Sequence, residues 1–330
     1  MNTLSIFFLK ACRKIYGKLF GAYQPPRLPR IEDPDQASDL IYQLLSREEP
    51  CMIARFGATE LSCIVNYLNI QRGDHHFCKY IKGETGDWWW NHNIMAQMER
   101  WSGFFPPTPE KLTAFCELML SGTKYMDICG IFPNVETLIH YVKPYMDSPV
   151  FLPLYTYSPF ISSRPWSRIL KDKKVLVVHP FSELIEQQYQ KRKFLFKNPE
   201  VLPDFELHTI KAVQSLGGVS NGFQDWFEAL HWMEKEMDKV DYDICLIGCG
   251  AYGFPLAAYA KETGHKVVHI GGELQLLFGI KGARWEEKRS ATQWGLPNDY
   301  YINLFKNPYW VRPEKYKVKG YDNIENACYW

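Results

Sequence analysis

The chain has 330 residues, 46% hydrophobic and 23% charged, with a formal net charge of +1. That length buries one large core or two modest ones, and so balanced a charge excludes a sequence-wide pull toward nucleic acid. The nine cysteines are odd in number, irregularly spaced and free of any Cys-x-x-Cys, so they read as reduced thiols and not as a disulfide framework or a zinc site.

In residues 1–23, Ile6, Leu9, Arg13, Tyr16 and Phe20 alternate with Lys10, Lys14 and Lys18, and no acid precedes Glu32. A basic amphipathic helix of this kind lies in a lipid interface or docks on a core. The apolar run 4–9 falls far short of the ~20 residues that span a bilayer, and no signal-peptide cleavage site follows it. Residues 24–35, with Pro25, Pro26 and Pro29, read as a stiff linker. Over 36–294 the pattern alternates: helix over 37–46, strand over 52–56, helix over 59–68, and a helix opened by Thr108, Pro109 and Glu110. A strand over 125–129 and a helix over 135–142 follow. Strand 174–179 leads to a helix capped by Ser182 and running to 193, then strand 205–210. Trp226, Leu230, Met233, Met237 and Val240 mark one helix face, and strand 244–247, helix 253–263 and strand 266–270 make a βαβ unit. The Trp- and His-rich stretch 75–101 shows no clear period. The alternation predicts an α/β fold with a largely parallel, Rossmann-like sheet and helices on both faces. The tail 295–330 is expected to wrap the body without regular structure.

Four strand-end motifs carry candidate chemistry. Gly248-Cys249-Gly250-Ala251-Tyr252-Gly253 fits G-x-G-x-x-G, in which small residues let a diphosphate approach backbone N–H groups at a helix start. Gly248, Gly250 and Tyr252 then face a nucleotide, or the segment is simply a tight turn. NAD is disfavoured, because the next strand ends His269-Ile270-Gly271-Gly272 and its nearest acid, Glu273, lies beyond the glycines. In Arg55-Phe56-Gly57-Ala58-Thr59-Glu60-Leu61 a strand delivers Arg55 and a glycine turn puts Glu60 in a first helical turn. Arg55 can pair with phosphate, and Glu60 can ligate a cation, take a proton from a hydroxyl, or merely answer the helix dipole. His179-Pro180-Phe181-Ser182 makes an anion site or holds a structural histidine. Gly271, Gly272, Gln275 and Lys281 form a ligand-facing turn or part of a core. His75, His76 and the run Trp88-Trp89-Trp90 have no metal-ligand spacing.

Together these stretches resemble a known family. Residues 55–61 look like the Arg-Phe-Gly-Asp-Gly-Glu of the GT-D glycosyltransferases, and residues 243–272 look like that family's βαβ unit. The style of residues 174–181, 247–256 and 275–282, and the terminal Cys328-Tyr329-Trp330, is similar to a bacterial surface-polysaccharide branch; the likeness covers roughly 36 to 330. It implies a GT-D-type fold and transfer of a hexose from a nucleotide sugar, UDP-linked by expectation, to a hydroxyl of a growing, lipid-linked or free glycan. The reduced thiols fit the cytoplasm, and the basic amphipathic residues 1–22 fit a peripheral enzyme touching the inner face of the cell membrane. Arg55 and Glu60 would be catalytic, with Gly57, His179, Ser182, Gly248, Gly250, Tyr252, Gly271, Gly272 and Gln275 holding the donor. The family assigns Mg2+ or Mn2+ to an Asp-x-Glu pair, but here Ala58 stands at the Asp position and only Glu60 remains. The rival readings are an NAD(P)-dependent oxidoreductase built on residues 248–253, and a non-catalytic scaffold that binds a nucleotide or glycan. The sugar-transfer expectation requires the tips bearing Arg55, His179, Gly248 and Gly271 to meet in one pocket.

Overall fold

The structure, a computed structural model, describes residues 3–21, 23–73, 76–133, 135–215, 222–317 and 329–330. Its strands are β1 (Cys51–Arg55), β2 (Met126–Ile131), β3 (Val150–Pro153), β4 (Lys174–His179), β5 (Glu206–Lys211), β6 (Ile244–Ile247) and β7 (Lys266–His269). They form one sheet in the order β3-β2-β1-β7-β6-β4-β5, every pair parallel. A parallel sheet covered on both faces needs apolar residues at both parities of each strand. The central strands comply: Met52, Leu176, Cys245 and Val267 enter one core, and Ile53, Val177, Leu246 and Val268 the other.

The helices are α1 (Thr3–Phe20), α2 (Pro34–Ser46), α3 (Ala58–Gln71), α4 (Phe77–Lys82), α5 (His92–Arg100), α6 (Pro109–Gly122) and α7 (Glu136–Val142). After β4 come α8 (Ser182–Tyr189), α9 (Trp226–Met237), α10 (Gly253–Glu262), α11 (Leu274–Leu277), α12 (Lys288–Thr292) and α13 (Tyr300–Leu304). Local chemistry sets several starts. Asp33, Thr108 and Asp225 accept from Gln36 N–H (2.8 Å), Lys111 N–H (3.3 Å) and Glu228 N–H (2.9 Å), and Pro34 and Pro109 follow their caps directly. On α9, Trp226, Leu230, Met233 and Met237 are buried, and Trp226 stacks on Tyr252 with centroids 4.8 Å apart.

Five features depart from the sequence reading. Ser182 is no cap: Phe181 holds that place without a side-chain hydrogen bond, and α8 stops at Tyr189, not at 193. The prolines before α2 do not form a free spacer. Leu28 is buried, its N–H donates to Glu136 Oε1 (3.0 Å), and Ile31 N–H donates to the Phe151 carbonyl (3.3 Å). The tail contains α13, and the Trp-rich stretch contains α5, with Trp88 packed edge-on against Phe77 and Tyr80. β3 went unread because four residues ending in Pro153 carry too little pattern.

Connection geometry creates the site. β1 and β6 lead into α3 and α10, whose apolar faces join one core, whereas β4 and β7 lead into α8 and α11 in the other. In the order β1-β7-β6-β4 each neighbour therefore turns to the opposite face, which opens a crevice above the carboxyl ends.

Candidate functional site

A cavity of about 500 Å3 fills that crevice, within the roughly 300–1,000 Å3 usual for small-molecule sites. The sequence-derived residues Arg55, Gly57, Glu60, His179, Gly248, Gly250, Tyr252, Gly271, Gly272 and Gln275 line it, and Ser182 does not. Strand register explains the meeting: Ile247 sits beside both Val178 and His269, so the tips of β4, β6 and β7 end level. Ser182 lies outside the lining because it begins α8, buried beneath the rim.

Arg55 closes β1. Its Nε is buried without a hydrogen-bond partner among the described residues, and its Cζ stands 5.6 Å from the Phe132 ring centroid. Burial pulls its pKa down, and the charges of Tyr329 and Glu60 oppose that effect. Gln275 Oε1 is the second orphaned atom on this lining. The same side chain's Nε2 donates to the carbonyls of Ile280 (3.3 Å), Lys281 (3.0 Å) and Tyr329 (3.1 Å), so Gln275 clasps chain segments as well as facing the cavity. Buried polar atoms left unmatched in a folded protein call for an explanation, and a bound polar ligand is one.

Glu60, only 8% exposed, folds back over the start of α3: a Cβ built on Gly57 would lie 1.7 Å from its Oε2. The Glu60 carboxylate thus occupies the space that a side chain at position 57 would take. Ala58 is exposed on the cavity wall and offers no oxygen. Among the described residues no group of three His, Cys, Asp or Glu could hold a metal. The donor set does not fit a protein-built cation cage, which needs several oxygens.

The two strand-tip histidines are buried, and burial pushes each down to about 3, so both are neutral imidazoles. Phe181 N–H donates to His179 Nδ1 at 3.0 Å, which leaves the ring proton on Nε2. His269 has the opposite tautomer, its Nδ1–H donating to the Ile247 carbonyl at 3.3 Å. The His269 ring lies on Gly253, where a Cβ would meet Cε1 at 2.2 Å. Within the glycine motif, Gly248 and Gly253 therefore serve packing, and Gly250 (φ +60°) alone is exposed with open space before it.

The strand-tip motifs did not assign a role to several further residues on the lining: Trp101, Glu273, Arg284, Arg289, Trp294 and Tyr329. Tyr329 returns across the crevice, its ring where a Gly272 side chain would be (2.1 Å from Cε1) and 4.8 Å from Arg284 Cζ. No local signal foretells such a return. Glu273 had a signal, an acid just past the double glycine, but not at the strand tip where a ribose-binding acid belongs. Tyr301 donates to its Oε1 at 3.2 Å, and burial lifts its carboxyl from 4.5 to about 7. The folded state thus holds this proton more tightly than the unfolded chain does. The stability it contributes is complete below pH 4.5 and lost as pH rises through 7. Glu273→Gln is expected to flatten that part of the melting temperature against pH, and an unchanged slope would show the carboxyl to be ordinary.

Fold and crevice define the class: an α/β protein with a Rossmann-like, all-parallel sheet and a pocket at the carboxyl ends of its central strands. No family model and no curated protein matches the chain. A solved structure, the selenomethionine-substituted form of a domain of unknown function (DUF1792), is similar over 80% of this chain and 82% of its own, at 12% identity and a TM-score of 0.37.

Proposed function

We propose that this chain is a glycosyltransferase that moves a sugar from a nucleotide sugar, UDP-linked in the first instance, to a hydroxyl of a growing cell-surface glycan. One observation carries the reading: Arg55, with its unmatched Nε, and the tips at His179, Gly248 and Gly271 share one crevice cavity. The likeness of residues 55–61 and 243–272 to GT-D enzymes supports it independently. In the proposed reaction the donor's anomeric C–O bond breaks and its electron pair leaves with the diphosphate. The acceptor oxygen forms the new bond and passes its proton to a carboxylate, Glu60 or Glu273. Arg55 and Arg284, with backbone N–H groups of the Gly250 turn, offset the charge of the leaving diphosphate. Trp101 and Trp294 offer apolar faces for a sugar or base. Against dinucleotide binding stands His269: the β7 tip holds a neutral ring packed on Gly253, where a ribose-binding acid would be needed.

The test is a panel of UDP- and GDP-sugars incubated with the full chain, with Mn2+ and with EDTA. Expected are hydrolysis or transfer of at least one donor that persists in EDTA, and a loss of about 100-fold or more in whichever of Glu60→Gln and Glu273→Gln removes the base. If no donor is turned over and none raises the melting temperature, the proposal fails. If NAD(H) alone raises it, the oxidoreductase reading takes its place.

A further inference from the structure

Helix α1 has two apolar sides, and the fold uses one. Leu9 is buried, Arg13 Nη1 donates to the Thr85 carbonyl at 2.9 Å, and Arg13 Cζ lies 4.8 Å from the Tyr80 ring centroid. On the other side Leu4, Phe8, Ile15 and Leu19 recur at helical spacing, 80%, 67%, 58% and 70% exposed. Phe7, on the lysine flank, and Phe20, at the end of the helix, are exposed as well. Surface this apolar and contiguous marks an interaction site.

Its charge indicates what covers it. α1 contains no acid, and Lys10, Lys14 and Lys18 follow one flank. Next to that flank a second cavity, about 680 Å3, is lined by Lys10, Arg13, Lys14, Arg72 and Lys82 against one acid, Glu84. Lys10 is drawn to Asp87 at 3.7 Å and Arg72 to the Tyr141 ring at 5.5 Å, whereas Lys14 and Lys82 have no side-chain partner among the described residues. Among the described residues no helix is long and apolar enough to cross a membrane. An apolar helix face flanked by cations that outnumber the acids beside them matches a phosphate-bearing lipid surface, which presents anionic groups above hydrocarbon.

We infer that α1 and this cavity form a docking site for a membrane rich in anionic phospholipid. The apolar stripe enters the headgroup–acyl boundary, and a lipid phosphate occupies the cavity beside Lys14, Arg72 and Lys82. α3 runs from the crevice to Arg72, so about 20 Å of helix separates the two cavities. The inference does not depend on sugar transfer.

The full chain is floated with vesicles of phosphatidylcholine alone or mixed with phosphatidylglycerol. Expected is binding to the mixed vesicles only, weakened by salt. Phe8→Ser with Leu19→Ser should weaken it about tenfold or more without lowering the melting temperature. Lys14→Glu and Lys82→Glu should each weaken it roughly fivefold. Equal binding to both vesicle types, or to neither, overturns the inference. So does release by inorganic phosphate beyond that caused by chloride of equal ionic strength, which would mark a soluble-anion site. A dimer in sedimentation that the Phe8 and Leu19 changes dissociate, with no vesicle binding, would assign the stripe to a second copy. None of these readouts uses a sugar donor, so failure here leaves the transferase proposal standing, and the reverse holds.

Discussion

Replacing Arg55 with methionine is expected to stabilise the fold while weakening the binding of UDP about 10- to 100-fold. Two opposed effects meet in this side chain. Its Nε is buried without a hydrogen-bond partner among the described residues and burial pulls its pKa down, so one N–H of the guanidinium is left unmatched. An apolar side chain of similar length removes that penalty, worth about 1–2 kcal/mol in related buried-charge replacements. A diphosphate oxygen is the partner that would complete it, and charge-assisted hydrogen bonds contribute about 1.5–3 kcal/mol each. Thermal unfolding and UDP titration calorimetry on the same preparations separate the effects. A lower melting temperature with undiminished UDP affinity would mean that Arg55 braces the crevice and holds nothing in it.

Gly248→Ala should destabilise the protein by about 3 kcal/mol or more, the upper end of overpacking costs. The added Cβ would lie 2.6 Å from the Gly271 carbonyl oxygen, 2.9 Å from His179 Cδ2 and 3.0 Å from Leu274 Cβ. All three belong to parts that cannot easily yield: the β7 turn, a buried ring and the α11 backbone. Gly250→Ala is the contrast. Nothing lies within 4 Å of its Cβ, so only the left-handed backbone at φ +60° is penalised, at about 1 kcal/mol. If the Gly250 turn admits a diphosphate, Gly250→Ala should weaken UDP binding more than it lowers stability. Urea unfolding and UDP titration of both variants decide this. Equal stability losses would refute the division of roles within the motif.

Much of the scaffold could be read along the chain. β4, β6 and β7 are short apolar runs with both parities buried, and β6, α10 and β7 appear in sequence as they do in space. α6 is legible at its start because capping is local chemistry, but α2 begins at Pro34 behind its Asp33 cap, inside the stretch that reads as a linker, and Ser182 misleads, since a serine before a helical run does not reveal whether its hydroxyl reaches the backbone. Cys328 and His75 lie outside the described residues.

Residue order alone thus determined six of the seven strands described, β3 being the exception, that the sheet is covered on both faces, and that Arg55, His179, Gly248 and Gly271 end strands or begin turns. Periodicity, capping and turn chemistry act within a few residues, so a linear reading captures them. Only the tertiary structure decided the order β3-β2-β1-β7-β6-β4-β5, and with it the meeting of those tips. It also decided that Gly248 and Gly253 make room for neighbours, that Glu273 acquires a raised pKa, and that Tyr329 lies over Gly272. These outcomes depend on through-space contact and burial between distant segments, which no local pattern encodes.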